Sequence, residues 1–520
     1  MKRSYKIQTI DGSITREYNY IPVRYILAIM LTVFEVVAVV LSVVVCCYYI
    51  PYFYIAAFIT EIVCVISITS SDDNPEYKVP WLVVVLVLPI AGFMLYFLFY
   101  KRTLDKRYIK RLKNASEMGY NYSDDELFDS LANENLSVAE RARMLTRIAD
   151  TAIFDGGKQD YFLLGEEKWA RLIPDLESAE KFIFLEYFII EDGEFWGTIL
   201  DVLKRKAKDG VEVRVVYDDI GCMSTLPGNY DKILSSYGIL SVPFSRLRGN
   251  ADGEFNNRSH RKIAVIDGLI GYTGGINIAD EYVNKTVRFG HWKDSAIRIV
   301  GDGVRELTRL FITDYIINSK KPFCEKQNYY PDSRVRGDGY VIPFGDGPKP
   351  IYEHNVGKTV IKNMLDTATD YAYITTPYLI MDNELLATLE NAALRGVDVR
   401  IITPGIPDKK LVYEITRSFY PRLMHAGVKI YEYTPGFIHQ KTYLVDGNQA
   451  MVGTINLDYR SLTHNFECGV WMYGTKSIYD IKKDIDETIA KSHLVQEEEL
   501  KVSVVRRMVR ATGRVFATLL

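Results

Sequence analysis

His260-Arg261-Lys262-Ile263-Ala264-Val265-Ile266-Asp267-Gly268 has a second copy in the chain, His439-Gln440-Lys441-Thr442-Tyr443-Leu444-Val445-Asp446-Gly447. In both, His and Lys open an apolar or β-branched run that closes on Asp-Gly, the pattern of a buried strand entering a tight turn. Side chains alternate along a strand, so His and Lys at i and i+2 share a face. The copies continue alike, to Gly274-Gly275-Ile276-Asn277 and to Gly453-Thr454-Ile455-Asn456, with Asn seventeen residues after His each time. Packing alone does not produce matched positions over that distance; a duplicated unit does.

The repeat extends upstream. Leu176-Glu-Ser-Ala179 through Phe182-Ile-Phe-Leu-Glu186-Tyr187 parallels Leu365-Asp-Thr-Ala368 through Tyr371-Ala-Tyr-Ile, which leads to Pro377-Tyr378. Each half then has an amphipathic helix closing on Gly210 or Gly396 and a further apolar strand, Val211 to Val216 or Val397 to Ile402. Gly238 and Gly427 end the next helices. Strands alternating with helices predict βαβ units and a mainly parallel sheet in each half. The Pro/Gly/Asp-rich stretch 319–350 separates a first half, 161–325, from a second, 326–498.

These residues resemble the phospholipase D superfamily, whose paired HKD motifs build one active site. Arg258, His291-Trp292-Lys293-Asp294, Asn456-Leu457-Asp458-Tyr459-Arg460-Ser461 and Asn465-Phe466-Glu467 are similar to the bacterial cardiolipin synthase branch, and the likeness runs from about Asp73 onward. It implies an α/β fold of two tandem phospholipase D-like halves related by a pseudo-twofold axis, preceded by N-terminal transmembrane helices.

Chemistry points the same way. A phosphodiester is cleaved when one group attacks phosphorus, another protonates the leaving oxygen, and fixed cations hold the remaining oxygens. Imidazole suits both proton-linked roles near neutral pH, so two histidines in different protonation states are needed. The candidate catalytic set is His260, Lys262, Asp267, His439, Lys441 and Asp446. Lys262 and Lys441 are expected at the phosphate oxygens, with Asn277 and Asn456 donating amide hydrogen bonds beside them. Asp267 and Asp446, just before Gly, are expected to hold the loop and neighbouring cations. The resemblance implies that the carboxylates supporting the histidines are Asp294 and Glu467. It also makes His260 the nucleophile of a phosphohistidine intermediate and His439 the general acid and then base, an assignment that the pseudo-symmetry leaves reversible. Glu186, Tyr187 and Tyr378 end strands that reach toward the site. Gly274, Gly275 and Gly453 are positions where backbone can approach phosphate. His291, His354, His425, His464 and His493 lack a repeated context and read as ordinary polar histidines. Metal ligands do not cluster at a recognisable spacing, and neither a metal nor a cofactor is expected.

The first hundred positions are a different material. Stretches 25–48, 52–69 and 81–100 are apolar and lack a polar face, which reads as a membrane anchor over 1–114 followed by a connector, 115–160, with a helix from Ser137. Basic clusters lie before the spans (Lys2, Arg3, Lys6, Arg16, Arg24) and, more densely, after them (Lys101 to Lys113). Three crossings cannot place both inside, so the denser cluster sets a cytoplasmic catalytic domain on a multi-pass plasma-membrane protein. The basic tail 499–520 reads equally as a membrane-surface helix or a docking helix. A net charge of −3 and a pI near 6.2 give no broadly nucleic-acid-binding surface, and no nucleic-acid partner is expected. Six cysteines without a CxxC pair give neither a disulfide framework nor a zinc site.

The resemblance thus implies phosphatidyl transfer between two phosphatidylglycerol molecules at a membrane, giving cardiolipin and glycerol. A phospholipase D hydrolase, a phosphatidyltransferase with another alcohol acceptor and, more remotely, a non-catalytic membrane scaffold are the alternatives.

Overall fold

The computed structural model describes residues 3–7, 16–20, 23–49, 53–71, 74–88, 91–99, 111, 115, 119–120, 122, 124–246, 257–319, 328–349 and 351–519. The apolar stretches form helices α1 (Val23–Tyr49), α2 (Phe53–Thr69), α3 (Pro75–Val87) and α4 (Ala91–Phe99). Asn74 caps α3 by accepting the N–H of Glu76, and Pro75 occupies the first turn, where no donor is missed.

The third expected span, 81–100, is not one helix. It folds back between α3 and α4, and Trp81 meets Tyr96 edge-on at 5.8 Å. Pro89, outside the described residues, explains the interruption, because it has no N–H to donate and disfavours helix at the residue before it. At 13 and 9 residues, α3 and α4 are about 20 and 14 Å long, short of a bilayer core of about 30 Å. Several side chains of α1 lie outside the described set; among the described residues no helix is long and apolar enough to cross a membrane. The three expected crossings are therefore not shown. Arg111 apart, the basic run after them lies outside the described residues.

The connector holds more structure than its polarity indicates. Helices α5 (Asp125–Glu134) and α6 (Leu136–Ala149) meet at Asn135, which ends one and caps the other. Phe128, Leu131, Val138, Ala142 and Leu145 recur at helical spacing and bury against Val360, Met364 and Leu365 of the second half. Strand β1 (Phe154–Asp155) pairs with the edge of the second sheet.

The first half contains β2 (Lys158–Phe162), α7 (Gly165–Glu177), β3 (Phe182–Tyr187), α8 (Glu194–Lys208), β4 (Glu212–Asp218), β5 (Leu240–Phe244), β6 (Lys262–Ile266), β7 (Ile270–Gly274), β8 (Ala296–Val300) and α9 (Val304–Asn318). The second contains β9 (Tyr340–Asp346), α10 (Val356–Thr367), β10 (Tyr371–Thr375), α11 (Asn383–Leu394), β11 (Asp398–Pro404), α12 (Lys410–Arg417), β12 (Lys429–Tyr433), β13 (Thr442–Val445), β14 (Gln449–Gly453), β15 (Glu467–Tyr473), α13 (Ser477–Ala490) and β16 (Ser492–Leu494), and ends in α14 (Val504–Phe516). Strand order is β5-β4-β3-β6-β7-β8-β2 in one sheet and β12-β11-β10-β13-β14-β15-β9 in the other, which gains β16 and β1 at its edges. The repeat read from the sequence is thus a repeat of topology. Ile263, Val265 and Ile297 share one apolar core with Leu444, Val452 and Val470, so the halves are packed together rather than strung in series.

The sheets are mixed, not mainly parallel. Only β3-β4-β5 and β10-β11-β12 run parallel; the motif strands β6 and β13 run antiparallel to both neighbours. A strand that ends in Asp-Gly returns as a hairpin and has no room for a crossover helix. Asp267 and Gly268 lie at φ 54° and 70°, Asp446 and Gly447 at 49° and 67°, the positive values such a turn demands.

Candidate active site

The two halves are stitched together immediately before each motif strand. The His260 N–H donates to the Phe466 carbonyl at 2.8 Å, and the Phe466 N–H donates to the Arg258 carbonyl at 2.9 Å. On the other side, His291–Lys293 runs parallel with Gly436–Ile438, and the His439 N–H donates to the Lys293 carbonyl at 2.7 Å. Each histidine therefore stands beside the residue that follows its partner segment, and that residue is an acid from the opposite half. His260 Nδ1 lies 2.9 Å from both Glu467 oxygens, and His439 Nδ1 lies 2.7 Å from Asp294 Oδ2. With both Nδ1 atoms committed to carboxylates, Nε2 of each ring is left for chemistry.

The rings occupy one site. Both are buried, each lies within electrostatic reach of Lys262 and Lys441, and His439 also feels His260. Phe188 closes on His260 at 5.3 Å, while Tyr282, Trp292 and Phe437 surround His439 at 5.4, 5.6 and 5.8 Å. Such walls exclude water and strengthen electrostatic interactions.

Three lysines lie beneath. Lys262 Nζ donates to the His260 carbonyl at 2.6 Å, and Lys441 Nζ donates to that of His439. Lys168 of α7, wholly buried, donates to the Ile276 carbonyl at 3.3 Å and sits 5.0 Å over the Tyr187 ring. Burial pushes Lys262 down to about 8, and Lys441 and Lys168 down to about 7. Burial also raises Asp294 to about 7, despite the nearby lysines, and holds His439 well below its usual range. Three confined ammonium groups, whose burial outweighs the pull of Asp294 and Glu467, form a cradle for an anion.

That imbalance gives a measurable pH dependence. Between about pH 7 and the unfolded lysine value of 10.5, the unfolded chain binds more protons at these three positions than the folded one. Stability of the ligand-free protein is expected to rise with pH across that window. Tungstate or phosphate, by restoring the lysine charges, is expected to raise Tm most near pH 7 and to flatten the slope; Lys441→Met is expected to weaken both effects. Calorimetric scans at pH 7, 8, 9 and 10, with and without the oxyanion, check this, and a Tm that falls over the window would refute the cradle.

Several expected roles change. Asp267 accepts the backbone N–H groups of Glu180, Lys181 and Phe182, and Asp446 those of Thr369, Asp370 and Tyr371. They hold the loop as expected, and at seven residues from the histidine along an extended strand they lie roughly 23 Å from the chemistry. Asn277 Nδ2 donates to the Tyr282 hydroxyl at 2.8 Å and Oδ1 accepts from the Ile189 N–H, while Asn456 Nδ2 donates to Asp458 at 3.0 Å. Each has one amide hydrogen spent inside the protein and one left over. The glycines permit close packing at the site: a Cβ on Gly275 would lie 2.0 Å from Asp294 Oδ1, and one on Gly274 or Gly453 would lie 2.4 Å from a carbonyl. Glu186 and Tyr187 are fully buried and back the site without lining it; Glu186 accepts from the Ser259 hydroxyl at 2.6 Å. His291 turns toward the Tyr433 hydroxyl at 3.1 Å.

Comparison with known proteins shows the family and the fold. A family model described as "Cardiolipin synthase, PLD-like domain" matches residues 172–288 and 361–489, and one described as "Phospholipase_D-nuclease N-terminal" matches 62–99. A cardiolipin synthase of Halalkalibacterium halodurans is 33% identical over 476 residues, covering 89% of this chain and 92% of its own. The chain belongs to the cardiolipin synthase family. A second family member, from Geobacillus kaustophilus, is 34% identical over 460 residues, 87% of this chain and 91% of that protein. A crystal structure of a phosphatidylserine synthase from Haemophilus influenzae shares the fold, with a TM-score of 0.56 at 16% identity over 73% of this chain and 97% of that one.

Within this cardiolipin synthase family site, four residues escaped sequence reasoning. Asp218, buried at the end of β4, grips Arg258 through Nε and Nη2 and accepts the Ser259 N–H at 3.1 Å, fixing the backbone next to His260. Asp484 of α13 does the same beside His439, accepting Lys293 Nζ at 2.6 Å and Gln440 Nε2 at 2.8 Å. Thr454 donates its hydroxyl to Glu467, and Lys168 supplies the third ammonium. Asp218 carried a signal, a carboxylate at the C-terminal end of a parallel strand. Asp484 and Lys168 look like any charged residue on an amphipathic helix.

Proposed function

We propose that the protein joins two phosphatidylglycerol molecules into cardiolipin and glycerol through a phosphohistidine intermediate. The observation that carries this reading is the pair of imidazoles in one site, each oriented by a carboxylate from the opposite half. His260 Nε2 attacks phosphorus; as the N–P bond forms, the bond to the glycerol oxygen breaks and that oxygen takes a proton from His439. The terminal hydroxyl of a second phosphatidylglycerol then gives its proton to His439 and attacks the same phosphorus, which frees His260. Lys262 and Lys441 hold the non-bridging oxygens in both steps.

The protein works at the cell membrane, with its N-terminal helices as the anchor and the catalytic halves on the cytoplasmic side. Support comes from the large apolar side chains that α1–α3 turn outward, among them Phe34, Phe58, Ile66 and Val87, 60 to 70% exposed. Reporter fusions at the N-terminus and near residue 115 test the topology, and an external signal at 115 refutes it.

Purified full-length protein given phosphatidylglycerol vesicles is expected to yield cardiolipin and glycerol by mass analysis. Phosphatidic acid without cardiolipin would make the enzyme a hydrolase. A mixed ester with another added alcohol, in preference to cardiolipin, would move the acceptor assignment.

A further inference from the structure

α14 is amphipathic, yet it docks with the wrong face. Val504, Val505, Met508 and Val509 recur at i, i+1, i+4 and i+5 and make one stripe at 3.6 residues per turn. A helix that packs on a soluble domain turns such a stripe inward. Here the docked face carries arginines: Arg510, only 7% exposed, pairs with Glu414 of α12 at 2.9 Å, while Arg506 and Arg514, themselves exposed, reach the domain at their ends, Arg506 at 3.2 Å from Glu414 and Arg514 at 4.5 Å over the Phe419 ring. Gly513 permits the close approach, because a Cβ there would lie 2.7 Å from Ile415 Cγ1. The apolar stripe faces out, with Val504, Val505 and Met508 65 to 72% exposed.

What covers the stripe is indicated by its neighbour. α14 and the turn after it pack against α3. α3 in turn exposes Val79, Val83, Leu86 and Val87, so the outward apolar faces of the two helices adjoin. Arg507 stays exposed beside the stripe, a cation of the kind that anionic headgroups attract. The same corner borders the site. Tyr77 of α3 bonds Thr463 at 2.6 Å and meets Tyr459 edge-on at 5.5 Å, and Glu76 accepts from the Tyr459 hydroxyl; both partners belong to the segment that follows Asn456.

We propose that Val504–Phe516 is an interfacial membrane helix mounted backwards, its arginine face on the catalytic domain and its apolar stripe in an anionic phospholipid bilayer beside α3. It sets the depth and tilt of the catalytic halves, so that a headgroup phosphate enters the histidine site without leaving the membrane surface. The proposal rests on the reading of α1–α4 as membrane-embedded, and the test separates the two.

Full-length protein, in a cysteine-replaced background that retains transfer activity, is reconstituted into phosphatidylglycerol-containing vesicles. It carries an environment-sensitive fluorophore at Met508→Cys, Phe58→Cys or Leu494→Cys. Nitroxide-labelled lipid is expected to quench Met508→Cys and Phe58→Cys while iodide does not, with the reverse at Leu494→Cys. Iodide quenching at Met508→Cys alone would overturn the helix assignment and leave the anchor standing; iodide quenching at both would overturn both. Shielding of Met508→Cys from both quenchers, with energy transfer between labels, would mean that a second copy covers the stripe, and would overturn the proposal. The double variant Val505→Asp/Met508→Asp is expected to lose about tenfold or more of its activity on vesicles and less than about twofold in mixed detergent micelles, where no surface has to be engaged. An equal loss in both would reduce the helix to a packing element and refute the inference.

Discussion

His260→Ala is expected to lower phosphatidyl transfer by about 10⁴-fold or more whichever alcohol departs, since without the nucleophile no covalent intermediate forms. His439→Ala is expected to behave differently. With phosphatidylglycerol the loss is about 10² to 10⁴-fold, the usual contribution of a general acid. With a nitrophenyl ester of phosphatidate the first step, attack by His260, is largely rescued, because a stable phenolate leaves unprotonated. The His439→Ala protein then stalls as phosphoenzyme, having no base to take the proton of the acceptor alcohol. One equivalent of nitrophenolate is released in a burst, and an acid-labile, alkali-stable phosphate remains on the protein. A burst in His260→Ala and none in His439→Ala would reverse the roles, and no burst in either would remove the covalent step. Folding is monitored in parallel by circular dichroism, because removing His260 takes the imidazole from a buried carboxylate and leaves it the Thr454 hydroxyl, the Asn465 amide 3.3 Å away and the charge of Lys262.

The motif strands and their turns were legible because Asp-Gly after a β-branched run has few other readings, and the positive φ at Asp267 and Asp446 is the physical content of that pattern. The same dipeptide favours antiparallel hairpins, whereas alternation of strands with helices favours a mainly parallel sheet; an apolar run does not encode its direction. The crossing of each carboxylate to the other half's histidine had no signal. It is set by a single bridge, Ser259 with Phe466, and by a three-residue ribbon, His291–Lys293 with Gly436–Ile438, both too short for periodicity. The pattern Phe128, Leu131, Val138, Ala142, Leu145 lies among charges, so its stretch reads as a connector although the pattern has helical spacing. The amphipathicity of α14 is legible in its residues but its orientation is not, because the partners Glu414 and Phe419 show which face is docked.

Glu467→Gln is expected to cost about 10³-fold or more in kcat with little change in KM, as when the carboxylate behind a catalytic imidazole is neutralised. Phosphorylating His260 at Nε2 leaves a cationic ring with Nδ1–H toward Glu467. That carboxylate is equipped to remain an anion, because the positive His260, then Lys262 and the Thr454 hydroxyl, hold it below its usual range against the cost of burial. Asp294 is equipped for the opposite. Beside His439 it accepts the Ser295 N–H at 2.9 Å, and burial lifts it to about 7. His439, its positive form disfavoured by burial and then by Lys441, Lys262 and His260, shares one loosely held proton with it, which suits a donor. The two substitutions are therefore expected to move opposite limbs of the pH profile of kcat/KM. Removing the Glu467 anion lowers the value at which His260 becomes neutral, so the acid limb moves down. Removing the Asp294 anion makes His439 lose its proton earlier, so in Asp294→Asn the alkaline limb moves down, and the defect shrinks with the nitrophenyl ester while that of Glu467→Gln does not. An exchange of limbs between the variants would make His439 the nucleophile; movement of both limbs in both would mean that the two pairs titrate as a single unit and that the division of labour between the halves is not electrostatic.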